Sequence, residues 1–362
     1  MKIKDIKLYS LKIPLIKEFK TSLRTVKIAD ETIVKIESED GKIGYGEAAP
    51  TAVITGDTGE SIRGIIENKI KPLLIGEQVE NIEKLHFLIE KAAVNNFSAK
   101  AAVEMAVYDL FAQNYGAPLY KILGGFRNTL TSDLSISVNS PAEMKEDALK
   151  AAADGYQVLK LKVGRGIEKD LNRVRAVREA VGDNIKIRLD ANQGWMPKEA
   201  VYIIRVMERE NLKIELIEQP VRAHDFEGLK FVRDSVITPI MADESLFSAR
   251  DCLDLLKMQA CDLINIKLMK AGGIYNALKI NAIAEAYGVE AMLGSMLESK
   301  VSVTAAAHLA AAKKNITRLD LDAPHYLAED PIQGGIKISG PQISFAKENG
   351  LGINAIENLV EI

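Results

Sequence analysis

The sequence predicts a (β/α)8-type barrel of the TIM class preceded by an N-terminal α+β domain. Three observations carry this. From about Thr131 onward, short β-like runs alternate with helical stretches, and a marker residue recurs about every 24 to 28 residues, roughly one β/α unit. The stretch before that array alternates apolar and polar residues as antiparallel strands do. Within the array, the last inward positions of the runs are repeatedly charged, where barrel enzymes keep their chemistry.

Taken in order, "KIKDIKLYSLKIPL" and "ETIVKIESEDGKIGYGEA" read as antiparallel strands, the latter turning at Asp40-Gly41. Helices follow, among them "SAKAAVEMAVYDLFAQNYG" and "PLYKILGG", so residues 1–125 make an α+β domain. Residues 126–325 make the barrel, with the runs "SDLSISVN", "QVLKLKVG", "IKIRLDAN", "IELIEQP", "TPIMADES", "CDLINIKL", "EAMLGSM" and "ITRLDLDA". The intervening "MKEDALKAAADGY", "EKDLNRVRAVREAVG" and "YNALKINAIAEAYG" place apolar residues at helical spacing, and two of them end in a glycine suited to a C-terminal cap. Residues 326–362 again read as strands and turns, expected to pack back onto the first domain.

Composition excludes several classes of function. Hydrophobic residues make up 47% and charged residues 27%, with a net charge of -3, a balance that suits a soluble globular protein and lacks a basic nucleic-acid footprint. Lysines interrupt the first fifteen or so residues, and the apolar stretch Val301 to Ala312 contains Thr304 and His308, so neither a signal peptide nor a membrane span is expected. Cys252 and Cys261 are too few for a disulfide framework or a Cys-rich zinc site. A cytoplasmic location follows as the expectation, with both thiols packed.

The run "LKLKVG" locates the chemistry. Leu159, Leu161 and Val163 alternate with Lys160 and Lys162, so the apolar set faces the helices and both ammonium groups point into the barrel. The same parity turns Asp190, Glu218, Asp243 and Lys267 inward. Three carboxylates on consecutive strands would repel one another; a divalent cation resolves this, and an all-oxygen set without His or Cys favours Mg²⁺ or Mn²⁺ over zinc. The competing reading pairs some of these acids with Arg188 or Arg318. Lys162 and Lys267 stand on strands four apart in an eight-strand ring and so face each other across it. That suits a 1,1-proton transfer, one lysine removing an α-proton beside a carboxylate and the other returning a proton to the opposite face through an enediolate. A lysine base must be neutral, and the neighbouring cations are expected to lower its pKa. Lys160 is given that tuning role together with contact to the substrate carboxylate.

Together "KLKVG", "DANQGW", "EQP", "ADES" and "NIKLMKAGG" resemble the muconate-lactonising subgroup of the enolase superfamily over essentially the whole chain. Within it the likeness is greatest to the dipeptide epimerases, in particular those acting on L-Ala-D/L-Glu. The resemblance implies an N-terminal α+β capping domain closing over a (β/α)7β TIM-type barrel, and an Mg²⁺-dependent isomerase acting on a small dipeptide; a homo-oligomer is expected, with neither nucleic acid nor membrane as a partner. "RLDLDA" supplies Asp320 and Asp322, both inward by parity on the eighth strand, and the resemblance implies that this Asp-x-Asp pair binds the free α-ammonium group; the alternative is an acidic stretch that is solvated or paired with Arg318. "TSLRTV" offers Arg24 for the γ-carboxylate of glutamate, unless it is a solvated loop arginine. Ser135 and Ser295, at the ends of the first and seventh strands, either line the pocket or are uncommitted rim residues.

Rival readings are an epimerase of hydrophobic or cationic dipeptides, which Arg24 opposes, and an o-succinylbenzoate synthase or muconate cycloisomerase, which Asp320 and Asp322 oppose. A non-catalytic scaffold would not need two opposed lysines. The four histidines lack metal-ligand spacing, "GYGEAAP" has too few glycines for a nucleotide fingerprint, and Trp195 reads as rim packing.

Overall fold

Parallel strands buried on both faces need covering helices outside and a filled interior, and the chain supplies both. The computed structural model describes all 362 residues. Eight parallel strands pair in chain order: Leu134–Ile136, Val158–Lys162, Lys186–Asp190, Ile214–Glu218, Ile240–Ala242, Leu263–Lys267, Ala291–Gly294 and Ile316–Asp320. Helices follow the first seven, and the eighth runs into a 3₁₀ turn, Ala323–Tyr326, as the (β/α)7β reading predicts. Outward residues such as Leu159, Leu161, Ile187 and Leu189 are fully buried against helices. Beneath the strand ends the interior is plugged by Leu216, Met241, Leu263 and Met292.

Arg188 pairs with Asp133 and Glu215 at 2.7 and 2.8 Å, and Arg318 with Glu215 and Glu290 at 3.3 and 2.6 Å. Both arginines therefore serve acids other than Asp190, Glu218 and Asp243.

The ring does not close as a regular ladder. Between the eighth and first strands, Asp133 N–H donates to Leu319 O at 3.3 Å, and side chains complete the seam: Leu321 N–H donates to Ser132 Oγ at 2.9 Å and Ser135 N–H to Asp322 Oδ2 at 2.5 Å.

The N-terminal unit is an antiparallel sheet of Ile3–Lys20, Thr25–Ser38 and Ile43–Ala48, packed on the helix Phe97–Asn114. The glycines of "GYGEAAP" make that contact possible, since a Cβ at Gly44 or Gly46 would lie 2.2 Å from Ala106 O or 1.8 Å from Ala102 O. Next to them, Glu47 accepts from Ser299 N, Ser299 Oγ and Ser302 N at 2.6, 2.7 and 2.8 Å. It thus places a carboxylate at the N-terminus of the barrel helix Lys300–Ala312, where the helix dipole favours negative charge.

The last residues bridge both units. Val360–Glu361 extends the N-terminal sheet beside Tyr9 and Ser10, whereas Gln342–Ser344 pairs with Thr129–Thr131 at the start of the barrel. Both cysteines are free and buried, and no helix is long and apolar enough to cross a membrane. Trp195 is buried, donating to Asp170 at 3.1 Å, and His308 is packed with its Nδ1 accepting from Tyr120 N–H at 2.9 Å.

The sheet–helix contact sets a test. Gly46→Ala should cost roughly 1–3 kcal/mol or more in urea unfolding, the price of overpacking against rigid backbone. Gly59→Ala, with nothing within 4 Å of its added Cβ, should stay near wild type.

Candidate active site

The floor of the site is the acidic trio. Asp190 and Glu218 end the third and fourth strands and Asp243 follows the fifth. Each is at most 1% exposed, and the three offer carboxylate oxygens within 4.8 Å of one another. Glu218 Oε2 and Asp243 Oδ1 lack a well-aimed hydrogen bond, although the ammonium groups of Lys160 and Lys270 stand 2.8 and 2.5 Å away. Buried, under-satisfied and all oxygen, this donor set fits Mg²⁺ or Mn²⁺.

Neighbours fix each acid. Asp190 Oδ1 accepts Asn192 N–H at 2.9 Å, and Glu218 Oε1 accepts from Asn265 Nδ2 at 2.8 Å. Gln219 Oε1 accepts the N–H groups of Asp243 and Ser245 at 2.9 and 3.1 Å, bolting the loop after the fifth strand to the end of the fourth. Asn192 and Gln219 have φ of 41° and 35°, a left-handed backbone that side-chain residues adopt at a cost. Burial, then Asp190, push Glu218 up to about 7. Burial would raise Asp243 as well, but Lys267 and Lys270 hold it well below the usual carboxylate range.

The two opposed lysines lie where parity places them. Lys162 Nζ is 2.6 Å from Asp190 Oδ2, Lys267 Nζ is 2.8 Å from Asp243 Oδ2, and both line one cleft. Gly294 makes room for the second, because a Cβ there would come within 3.1 Å of Lys267 Cε. At Lys267 the protein's own acids act against the fall that neighbouring cations would bring: burial favours its neutral form, but Asp243, Glu218 and Asp320 outweigh burial and Lys160 and hold it above its ordinary value.

Lys160 has a fully buried side chain, and its ammonium contacts Asp320, Glu218 and Asp190 at 2.7, 2.8 and 3.2 Å, offsetting the charge of all three acids.

The cleft lies between the barrel mouth and the N-terminal unit, which contributes Phe19, Thr21, Arg24 and Ile54. Arg24 belongs to the turn joining the first two strands, closed by Thr21 N–H to Arg24 O at 2.9 Å. The barrel grips that turn: Arg165 Nη2 donates to Thr21 O at 2.5 Å and Ser22 Oγ to Asn192 O at 2.7 Å. Burial lowers the pKa of Arg24, against which Glu31 acts.

At the opposite wall stand Asp320 and Asp322, with Ser135 and Ser295 also lining the cleft. Asp320 ends the eighth strand, but Asp322 lies past it at the cap of the 3₁₀ turn, so strand parity does not account for its direction. Asp320 Oδ2 takes Lys160 at 2.7 Å and its Oδ1 takes Ser135 Oγ at 3.4 Å. Asp322 Oδ2 takes Ser135 N–H at 2.5 Å and Tyr326 OH at 2.7 Å. Asp133 completes a second buried carboxylate cluster with them.

Sequence reasoning missed Asn192, Gln219, Asn265, Lys270, Asp133 and Tyr326. Asn265 had a signal, since it shares parity with Lys267 two residues later; Tyr326 had none.

Residues 143–359 match the family described as enolase C-terminal domain-like, and residues 5–124 match the mandelate racemase / muconate lactonizing enzyme N-terminal domain. An L-Ala-D/L-Glu epimerase of Clostridium acetobutylicum is 53% identical over 358 residues, 99% of this chain and all of the relative. The substrate-liganded L-Ala-D/L-Glu epimerase from Bacillus subtilis has a TM-score of 0.97 at 53% identity, covering 98% of this chain and 99% of that one. The dipeptide epimerase from Enterococcus faecalis, complexed with Mg and L-Leu-L-Tyr, has a TM-score of 0.95 at 47% identity, covering 98% and 100%. This chain belongs to the enolase superfamily, in its mandelate racemase / muconate lactonizing enzyme branch.

Proposed function

We propose that this protein is an Mg²⁺-dependent dipeptide epimerase that inverts the α-carbon of the C-terminal residue of L-Ala-D/L-Glu. The observation that carries the reading is the pair Lys162 and Lys267, opposed across a cleft floored by three buried carboxylates. Relatives at 53% identity bear the same activity in their names.

In this reading the substrate lies between the two amines. Lys162 Nζ removes the α-proton from one face, and Lys267, beside Asp243, delivers a proton to the other; the reverse reaction exchanges the roles. Held by Asp190, Glu218 and Asp243, Mg²⁺ supplies Lewis-acid stabilisation of the negative charge that develops on the substrate carboxylate. Asp320 and Asp322 receive the α-ammonium group, and Arg24 takes the γ-carboxylate as a bidentate partner. Ser135 and Ser295 line the path between these ends. We place the enzyme in the cytoplasm, acting on dipeptides from peptidoglycan breakdown; its free, buried thiols agree with a reducing compartment.

A hydrophobic dipeptide epimerase is the second reading, because a relative so named is 47% identical over 98% of this chain. Arg24 in the cleft favours the acidic substrate.

Incubation of L-Ala-L-Glu with enzyme and Mg²⁺ in D₂O should show α-deuterium uptake with epimer formation. Lys162→Ala and Lys267→Ala should each slow epimerisation by roughly 10²–10⁴-fold, the usual worth of a positioned acid or base. Near-wild-type rates in both would end the two-lysine mechanism, and no exchange with any dipeptide would turn attention to cycloisomerase or succinylbenzoate chemistry. Arg24→Ala should cut kcat/KM for L-Ala-L-Glu by about tenfold or more while sparing L-Ala-L-Leu, in line with a lost charged hydrogen bond. An unchanged dipeptide profile would remove the glutamate assignment. Calorimetric titration should find Mg²⁺ bound to Glu218→Gln at least about tenfold more weakly than to wild type, with the far-UV spectrum preserved.

A further inference from the structure

We infer that Tyr326 is a positioning residue for the ammonium end of the substrate, acting through Asp322; this rests on the dipeptide reading above. At the seam of the barrel, where the eighth and first strands lack a regular ladder, Asp322 is held by side-chain geometry. Two donors, Ser135 N–H at 2.5 Å and Tyr326 OH at 2.7 Å, converge on its Oδ2. Neither reaches Oδ1, which stays the acceptor available to the cleft that Asp322 lines.

The Tyr326 hydroxyl has one proton and two oxygens in range, Ser135 O at 2.6 Å and Asp322 Oδ2 at 2.7 Å. A carboxylate outcompetes a peptide carbonyl for that proton, so the hydroxyl steadies the charge of Asp322 and its rotation together. That restraint matters because Asp320 and Asp133 crowd the same point, their oxygens within 4.8 Å, and like charges would drive a loosely held Asp322 away. Lys160 answers Asp320 and Arg188 answers Asp133, whereas the two donors to Asp322 are neutral. A primary ammonium is the cation that completes this set.

The ring of Tyr326 does a second job. It packs on Phe19, centroids 4.9 Å apart, near the end of the strand that leads into the Arg24 turn. One aromatic contact therefore joins the seat for the ammonium group to the turn assigned to the opposite end of the dipeptide.

Tyr326→Phe keeps the ring and removes the hydroxyl. The KM for L-Ala-L-Glu should rise by about fivefold or more with kcat within about twofold, because the ammonium contact lies away from the reacting carbon and is uniform between ground and transition states. Affinity for N-propionyl-L-glutamate, the same molecule without its amine, should be equal in wild type and variant. In an Asp322→Asn background the substitution should have no further effect on KM. An unchanged KM, or equal weakening toward the amine-free analogue, would overturn the inference. Should the phenylalanine variant fold poorly, Tyr326→His, which keeps a ring and an N–H donor, should return a KM nearer to wild type, and a KM no better than that of Asp322→Asn would likewise overturn it. Absence of dipeptide exchange in the wild type would instead refute the function on which the inference stands.

Discussion

Mutual repulsion among buried carboxylates is the constraint to which the rest of the barrel mouth answers. Asp190, Glu218 and Asp243 stand side by side out of reach of water, an arrangement that costs several kcal/mol per uncompensated charge. The chain compensates with amines placed on purpose. Lys162 and Lys160 stand against Asp190, Lys160 also against Glu218, and Lys267 and Lys270 against Asp243. Amides then lock the geometry, with Asn192 and Gln219 in the left-handed backbone that aims them. Below them four apolar side chains seal the interior, keeping the dielectric low and these charge pairs strong.

The barrel was legible because its strands have a period of two and are buried on both faces. Against that apolar background an inward charge is conspicuous, and Lys162, Asp190, Glu218 and Lys267 all emerge where the alternation puts them. Legibility ended where the strand ended. Asp322 belongs to a turn, so its place beside Asp320 was marked by the Asp-x-Asp resemblance and does not follow from strand alternation. Nor does sequence show which partner a charge takes: Lys160 falls to three acids, and Lys267 to Asp243. Asn265 and Gln219 act through hydrogen bonds to residues distant in the chain, and Tyr326 through one to a residue beyond the strand; neutral side chains leave no mark in a pattern of charge and hydropathy.

The two units are joined at points that matter to the cleft. Glu47 reaches from the N-terminal sheet to cap a barrel helix, one residue from the end of a strand whose glycines let that sheet lie flat on its own helix. Arg165 and Asn192, on loops after the second and third strands, hold the turn that carries Arg24. The loop that helps orient Asp190 is thus also a wall of the cleft.

The open seam between the eighth and first strands has an evolutionary reading. The opposed lysines and the acidic trio stand on or just past the second to sixth strands, inside a continuous ladder, whereas Asp322, Ser135 and Tyr326 gather where that ladder is interrupted. A substitution at the interruption disturbs few main-chain bonds, so selection can vary that wall of the cleft while leaving the lysines and the trio in place. Relatives with near-identical folds and different named substrates are the lineage such an architecture permits.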